Sequence, residues 1–121
     1  MKKLVIVEDE IALQDALKKV FTAEGYEVAQ AFDGEEGVAV IKEKKPDIVL
    51  LDLILPKKHG FEVLEEMKKS DDTKNIPVLV LTNLEESTEV MKAIEMGARG
   101  YLIKANYALK VVLAKVRDIL G

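Results

Sequence analysis

The sequence predicts a doubly wound α/β fold, with one five-stranded parallel sheet covered by helices on both faces. Three observations predict it. Short unbroken apolar runs recur: Leu4-Val5-Ile6-Val7, Ile48-Val49-Leu50-Leu51, Val78-Leu79-Val80-Leu81 and Tyr101-Leu102-Ile103. Each has the length of a strand buried on both faces. Stretches of helical period separate them, and alternating β and α elements build a parallel sheet. Each run also ends on polar side chains: Glu8-Asp9-Glu10, Asp52, Thr82 and Lys104. In a parallel sheet those endings share one edge, the edge where open α/β sheets bind ligands.

The first strand follows Lys2-Lys3 and stops at Glu8. Leu13, Ala16, Leu17, Val20 and Phe21 then recur at the spacing of an amphipathic helix, and Gly25 stops it. Residues 27–30 alternate polar and apolar, which predicts a wetter strand at a sheet edge. Asp33, with Glu36 three residues on, caps a second helix that buries Val38 and Ile41 and ends before Pro46. The third strand carries Asp52 at its carboxyl end. A loop with Pro56 leads to a third helix that buries Phe61, Val63, Leu64 and Met67. Residues 68–75 are polar and predict a loop, and Ile76-Pro77 opens the fourth strand. Ser87 can cap a fourth helix with Val90, Ala93 and Ile94 inward and Gly97 as its stop. Met91, like Met67, is expected to be packing. Asn106 can cap a fifth helix that buries Leu109, Val112, Leu113, Val116 and Leu120.

At 121 residues the chain suits one domain, 1–121, with a single core. It is 49% hydrophobic and 33% charged, which excludes a disordered chain. It has no cysteine, so no disulfide framework and no thiolate metal site. A net charge of −4 spread over both signs argues against direct nucleic-acid binding. The first apolar run breaks at Glu8, too early for a secretory or membrane segment. A soluble, cytoplasmic protein with no membrane contact is expected.

The strand count fits the flavodoxin-like order 2-1-3-4-5. That order makes the polar second strand an edge and sets strands one and three side by side, so Glu8, Asp9 and Asp52 meet. Clustered carboxylates must lose charge, reach water or bind a cation. All-oxygen ligands suit Mg²⁺, Mn²⁺ or Ca²⁺, and Mg²⁺ binds through one or two carboxylates, waters and a phosphoryl group. A carboxylate can accept a phosphoryl group. The transferred oxygens then need charge stabilisation, for which the Lys104 ammonium and the Thr82 hydroxyl are suitable.

In these residues the chain resembles the receiver domains of two-component response regulators. The motifs are Val7-Glu8-Asp9-Glu10, Leu51-Asp52-Leu53-Ile54-Leu55-Pro56, Leu81-Thr82 and Gly100-Tyr101-Leu102-Ile103-Lys104, in order and over essentially the whole length. The resemblance implies a phosphorylation-activated signalling switch rather than an enzyme with an external substrate. Asp52 is implied as the phosphoacceptor and Glu8 and Asp9 as the acidic pair. Asp9 and the backbone carbonyl of Ile54 are implied as ligands of Mg²⁺, with Mn²⁺ an acceptable substitute. Thr82 and Lys104 match the groups that hold the phosphoryl oxygens. Tyr101 matches the aromatic that turns inward as the hydroxyl residue moves. The implied donor is a sensor histidine kinase or a histidine phosphotransfer protein. The implied output face is the fourth helix, fifth strand and fifth helix, which would meet a downstream protein or output domain or support a phosphorylation-dependent dimer.

Three positions depart from the family pattern. His59 stands where an acidic or small residue is common, Asn83 where a small one is usual, and Ala105 where most members carry proline. A cis bond before a non-proline residue costs roughly 2.5–4 kcal/mol, so Lys104-Ala105 is expected to be trans. His59 is expected to be a surface residue in a solvated Lys57-Lys58-His59 loop.

Rival readings exist. Asn83 and Ala105 are the support for a pseudo-receiver, a binding module without phosphorylation. A metal-dependent phosphohydrolase would want a second acid two residues beyond its nucleophile, and Ile54 stands there. A flavin site needs donors after the first strand, where this chain has acids.

Overall fold

The computed structural model describes residues 1–82, 87–104 and 108–121. Strands and helices alternate along the chain: β1 (Lys3–Val7), α1 (Ile11–Ala23), β2 (Glu27–Ala31), α2 (Gly34–Lys44), β3 (Ile48–Asp52), α3 (Gly60–Lys69), β4 (Val78–Thr82), α4 (Ser87–Glu95), β5 (Gly100–Ile103) and α5 (Leu109–Leu120). The strands form one parallel sheet in the order β2-β1-β3-β4-β5. β2 is an edge, as its polar alternation predicts, and β3 and β4 are buried at every position.

Successive strand residues point to opposite faces, so the apolar runs feed two cores. Val5, Val7, Val49, Leu51, Val78 and Val80 pack with Ile41 of α2, Val63, Leu64 and Met67 of α3 and Ala93 of α4. Leu4, Ile6, Ile48, Leu50, Leu79 and Leu81 pack with Leu17 and Phe21 of α1 and Val112, Leu113 and Val116 of α5. A strand buried on both faces has no polar face to display, which is why its sequence reads as a continuous apolar run. The one carboxylate in β3 therefore stands out at its end.

Local signals set most boundaries. Gly25 and Gly97 turn the chain out of α1 and α4 at φ +92° and +105°, in the left-handed region that favours glycine. Asp33 caps α2, accepting from the Glu36 amide at 2.8 Å, while the Glu36 carboxylate accepts from the Phe32 amide at 2.7 Å. The Glu36 bond completes the reciprocal motif of a capping box, displaced by one residue.

Some expectations fail. Lys68 and Lys69 finish α3 instead of opening a loop. α5 begins at Leu109 with Ala108 at its N-cap and no side-chain cap. The apolar stripe that starts at Leu109, not a capping side chain, fixes where this helix begins. Ile94 and Met91 are exposed, not packed, because Val90 and Ala93 already fill the narrow buried face of α4. The Ser87 side chain, Asn83, Leu84, Asn106 and the Lys104-Ala105 bond lie outside the described residues.

Candidate functional site

Register assembles the site. Val7 pairs with Leu51, so Glu8 and Asp52 emerge side by side at the carboxyl ends of β1 and β3. Asp52 pairs with Leu81, one residue before Thr82, and Thr82 pairs with Ile103, one residue before Lys104. Four residues that are far apart in sequence therefore share one edge because their strands are parallel and in this order.

Glu8, Asp52 and Thr82 are buried, while Asp9 is exposed. The Lys104 ammonium lies between the two buried carboxylates. It donates to Asp52 Oδ2 at 2.9 Å and stands 2.6 Å from Glu8 Oε1. The second contact is an ion pair, and this buried oxygen has no other donor among the described residues. Asp52 Oδ1 accepts from the Ile54 amide at 3.2 Å, and Glu8 Oε2 accepts from the Glu10 amide at 3.0 Å.

Burial pushes the Asp52 carboxyl above its ordinary pKa, against the opposing pull of Lys104. Burial raises Glu8 in the same way. For Lys104, burial works to lower the pKa, but the hydrogen bonds to Glu8 and Asp52 outweigh it and hold the ammonium above its ordinary value. The site is thus two strained acids sharing one ammonium.

Glu8, Asp9 and Asp52 can each offer a carboxylate oxygen, and these oxygens lie within 4.8 Å of one another. A cleft of about 380 Å³ opens beside them, lined by Asp9, Glu10, Asp52, Ile54 and Lys104. The oxygen-only donor set, with Glu8 Oε1 met only by the Lys104 ammonium among the described residues, fits a hard divalent cation. Ile54 lines this cleft with its side chain half exposed.

The structure brings Glu8, Asp9, Asp52, Ile54 and Lys104 together, with Thr82 at the neighbouring strand end. Tyr101 stands apart from them. It is 46% exposed on the outer strand β5 and faces solvent.

The family model for the response regulator receiver domain matches residues 4–117. The chain belongs to the response regulator receiver domain family. It is 36% identical over 99% of its length to the DNA-binding dual master transcriptional regulator RpaA of Synechocystis, of which it covers 49%. The chain spans about half the length of the curated relatives it matches. Among solved structures, the BeF3-activated N-terminal receiver domain of Klebsiella pneumoniae RstA superposes with a TM-score of 0.88 at 30% identity, covering 98% of this chain and 97% of that one. The Mn²⁺-bound form of response regulator Rcp1 gives 0.82 at 33% identity, with 98% and 91% covered.

The capping role of His59 and the burial of Gln14 were not expected from the sequence. His59 is half-buried and caps α3: its Nδ1 accepts from the Phe61 amide at 3.2 Å, and its own amide donates to Glu62 at 3.3 Å. Its ring also stacks on Phe61 at 5.1 Å. The signal was present as the three-residue spacing of His59 and Glu62, the spacing of a capping box. Nor is the surrounding loop simply solvated, since Lys58 pairs with Glu66 and Lys57 with Asp33. The second residue is Gln14, wholly buried on α1. A polar residue three before Leu17 and seven before Phe21 lies on the buried stripe, and that spacing could have revealed it.

Proposed function

We propose that residues 1–121 act as one receiver domain that is switched by phosphorylation of Asp52. The donor is the phosphohistidine of a sensor histidine kinase or of a histidine phosphotransfer protein. The observation that carries this is the Lys104 ammonium 2.9 Å from Asp52, at the mouth of an open cleft lined by acids.

Asp52 Oδ1 or Oδ2 attacks phosphorus. The P–O bond to Asp52 forms as the P–N bond to the donor imidazole breaks, and the imidazole leaves with its electron pair and takes up a proton. Both Asp52 oxygens are held before attack, one by the Ile54 amide and one by Lys104, so the carboxylate is oriented in advance. Lys104 follows the charge onto the phosphoryl oxygens, and the Thr82 hydroxyl at the neighbouring strand end serves a second oxygen. Glu8, Asp9, Asp52 and the Ile54 carbonyl would hold Mg²⁺, with Mn²⁺ as a substitute; the Mn²⁺-bound Rcp1 relative supports a divalent ion here. When bound, the ion neutralises the acids and the incoming phosphoryl charge. The chain's chemistry is confined to loading and losing its own phosphoryl group.

The response is assigned to the face of α4, β5 and α5. Tyr101, Met91, Ile94 and Val111 leave apolar surface exposed there. Tyr101 turns inward on phosphorylation and changes that surface for a downstream protein, an output domain or a second copy. The curated relatives are about twice as long and are named as transcriptional regulators, which supports an output of that kind. A net charge of −4 leaves nucleic-acid contact to another segment. Among the described residues no helix is long and apolar enough to cross a membrane, and cytoplasmic action fits the cysteine-free chain.

The test is incubation with Mg²⁺ and a small phosphodonor, read by intact mass. One phosphoryl increment is expected in the wild-type chain, none in Asp52→Asn, and a strongly reduced one in Asp9→Ala or with a chelator. An unchanged increment in Asp52→Asn would reject the acceptor.

A further inference from the structure

Gln14 on α1 is wholly buried, and its carboxamide reaches the base of the acidic pair. Its Nε2 lies 2.9 Å from the Ile6 carbonyl, 3.1 Å from the Glu8 carbonyl and 2.8 Å from the Ala31 carbonyl. All three neighbours are acceptors, so the nitrogen, not the oxygen, must stand there. Its two hydrogens serve three carbonyls, so at least one is shared. The opposite atom, Oε1, accepts from Gln30 Nε2 at 3.0 Å, and the same Gln30 nitrogen lies 3.2 Å from the Gln14 carbonyl. Gln30 on β2 thereby fixes the orientation of the Gln14 amide.

The consequence falls on Glu8. Its amide donates to the Ala31 carbonyl at 3.0 Å, and its carbonyl receives Gln14. The main chain of Glu8 is therefore held from both sides just where its buried carboxylate faces Lys104 and Asp9 follows. An apolar side chain at position 14 would leave the Glu8 carbonyl with no donor from α1 and would loosen the carboxyl ends of β1 and β2 from each other.

We propose that Gln14 is a positioning residue for the acidic pair, and that Gln30 acts through it. The proposal rests on the reading of Glu8, Asp9 and Asp52 as a divalent-cation site. Outer partners of a metal site typically change affinity 10–100-fold when removed. Gln14 grips main chain rather than a ligand oxygen, so an effect of about tenfold is expected.

The experiment measures Mn²⁺ dissociation constants by electron paramagnetic resonance of the unbound ion. Wild type, Asp9→Ala, Gln14→Met, Gln30→Met, the double variant and Phe21→Leu are compared, with thermal midpoints recorded for each. Gln14→Met keeps the side-chain length and removes the amide. Phe21→Leu perturbs the same helix away from the site. The expected result is weakening by about tenfold in Gln14→Met, a smaller loss in Gln30→Met and no further loss in the double variant. Phe21→Leu should bind like wild type despite a lowered midpoint. If Gln14→Met fails to fold, the Gln30→Met affinity decides. Wild-type affinity in the variants, or an equal loss in Phe21→Leu, overturns the positioning role while leaving the metal site intact. A wild-type chain that binds no Mn²⁺, or an Asp9→Ala chain that binds it as well, overturns both.

Discussion

Asp52 and Glu8 are acids that the fold holds against their preference. Burial raises both pKa values above the unfolded ones, so the folded state binds protons more tightly than the unfolded chain does. Their stabilising contribution is present below the ordinary carboxylate pKa and is lost as pH rises through the raised folded value. At neutral pH without a cation, the pair is a net cost. Lys104 has the same sign but a different window: its contribution holds at neutral pH and is lost only on alkaline titration, as pH rises through its raised folded value. Asp52→Asn should therefore have a higher unfolding midpoint than wild type in metal-free solution at neutral pH. The advantage should shrink as pH falls into the carboxylate range, where the wild-type acid takes up its proton. Calorimetry across that range checks it; a neutral-pH midpoint no higher than wild type contradicts it. Ile54, two residues on, makes a kinetic statement. Its exposed apolar side chain lines the cleft and cannot orient or deprotonate water. The resemblance to receiver domains implies that this position and Leu84, two beyond Thr82, flank the path of the hydrolysing water, and Leu84 is equally apolar. The phosphoryl group should be long-lived, and Ile54→Asn with Leu84→Glu should speed its loss severalfold in a mass-based decay assay. Equal decay rates would remove these positions from control of hydrolysis.

The β3–α3 connection is the element on which the site depends most. Gly60 opens α3 directly against the end of β3, its amide donating to the Leu53 carbonyl at 2.9 Å. A Cβ at Gly60 would overlap the Asp52 carbonyl and Leu53. The start of α2 also packs tightly on this connection, since a Cβ at Gly34 would overlap the Lys58 carbonyl. Gly60→Ala should therefore lower stability by about 1–3 kcal/mol, as overpacking does, and should also slow phosphorylation by displacing the acceptor. Phosphorylation rates measured well below the unfolding midpoint separate the two effects, and an unchanged rate would confine Gly60 to stability. The elements themselves were legible because their signals are local. Buried strands read as apolar runs, Asp33 and Glu36 read as a cap, and Gly25 and Gly97 read as stops. Residues whose surroundings come from other elements were less legible. Gln14 drew no expectation, because the carbonyls of Ile6, Glu8 and Ala31 that it meets come from the ends of β1 and β2. Met91 and Ile94 looked like packing because the width of the α4 buried face depends on what lies beneath it.

For the whole molecule, the sheet edge works as a charge store that the fold keeps open. Parallel strands in the order β2-β1-β3-β4-β5 bring three carboxylates and one ammonium together, and the metal-free chain uses Lys104 as its internal cation. A divalent ion that binds the folded state alone adds stability by mass action, about 2.7 kcal/mol at a hundredfold excess over its dissociation constant. It must do so in competition with the ammonium for Glu8 and Asp52. Lys104→Met removes the competitor and leaves two buried acids uncompensated. The metal-free variant should then unfold at a lower temperature than wild type, as expected when one partner of a buried pair is lost. Its affinity for Mg²⁺ should be higher, so the rise in midpoint on adding Mg²⁺ should exceed that of wild type. In Asp52→Asn, with one ligand gone and less charge to neutralise, the rise should be smaller. Scanning calorimetry with and without Mg²⁺ on the three chains orders them directly. A smaller Mg²⁺ increment in Lys104→Met than in wild type would mean that ammonium and cation cooperate in the folded state instead of competing for the same two carboxylates.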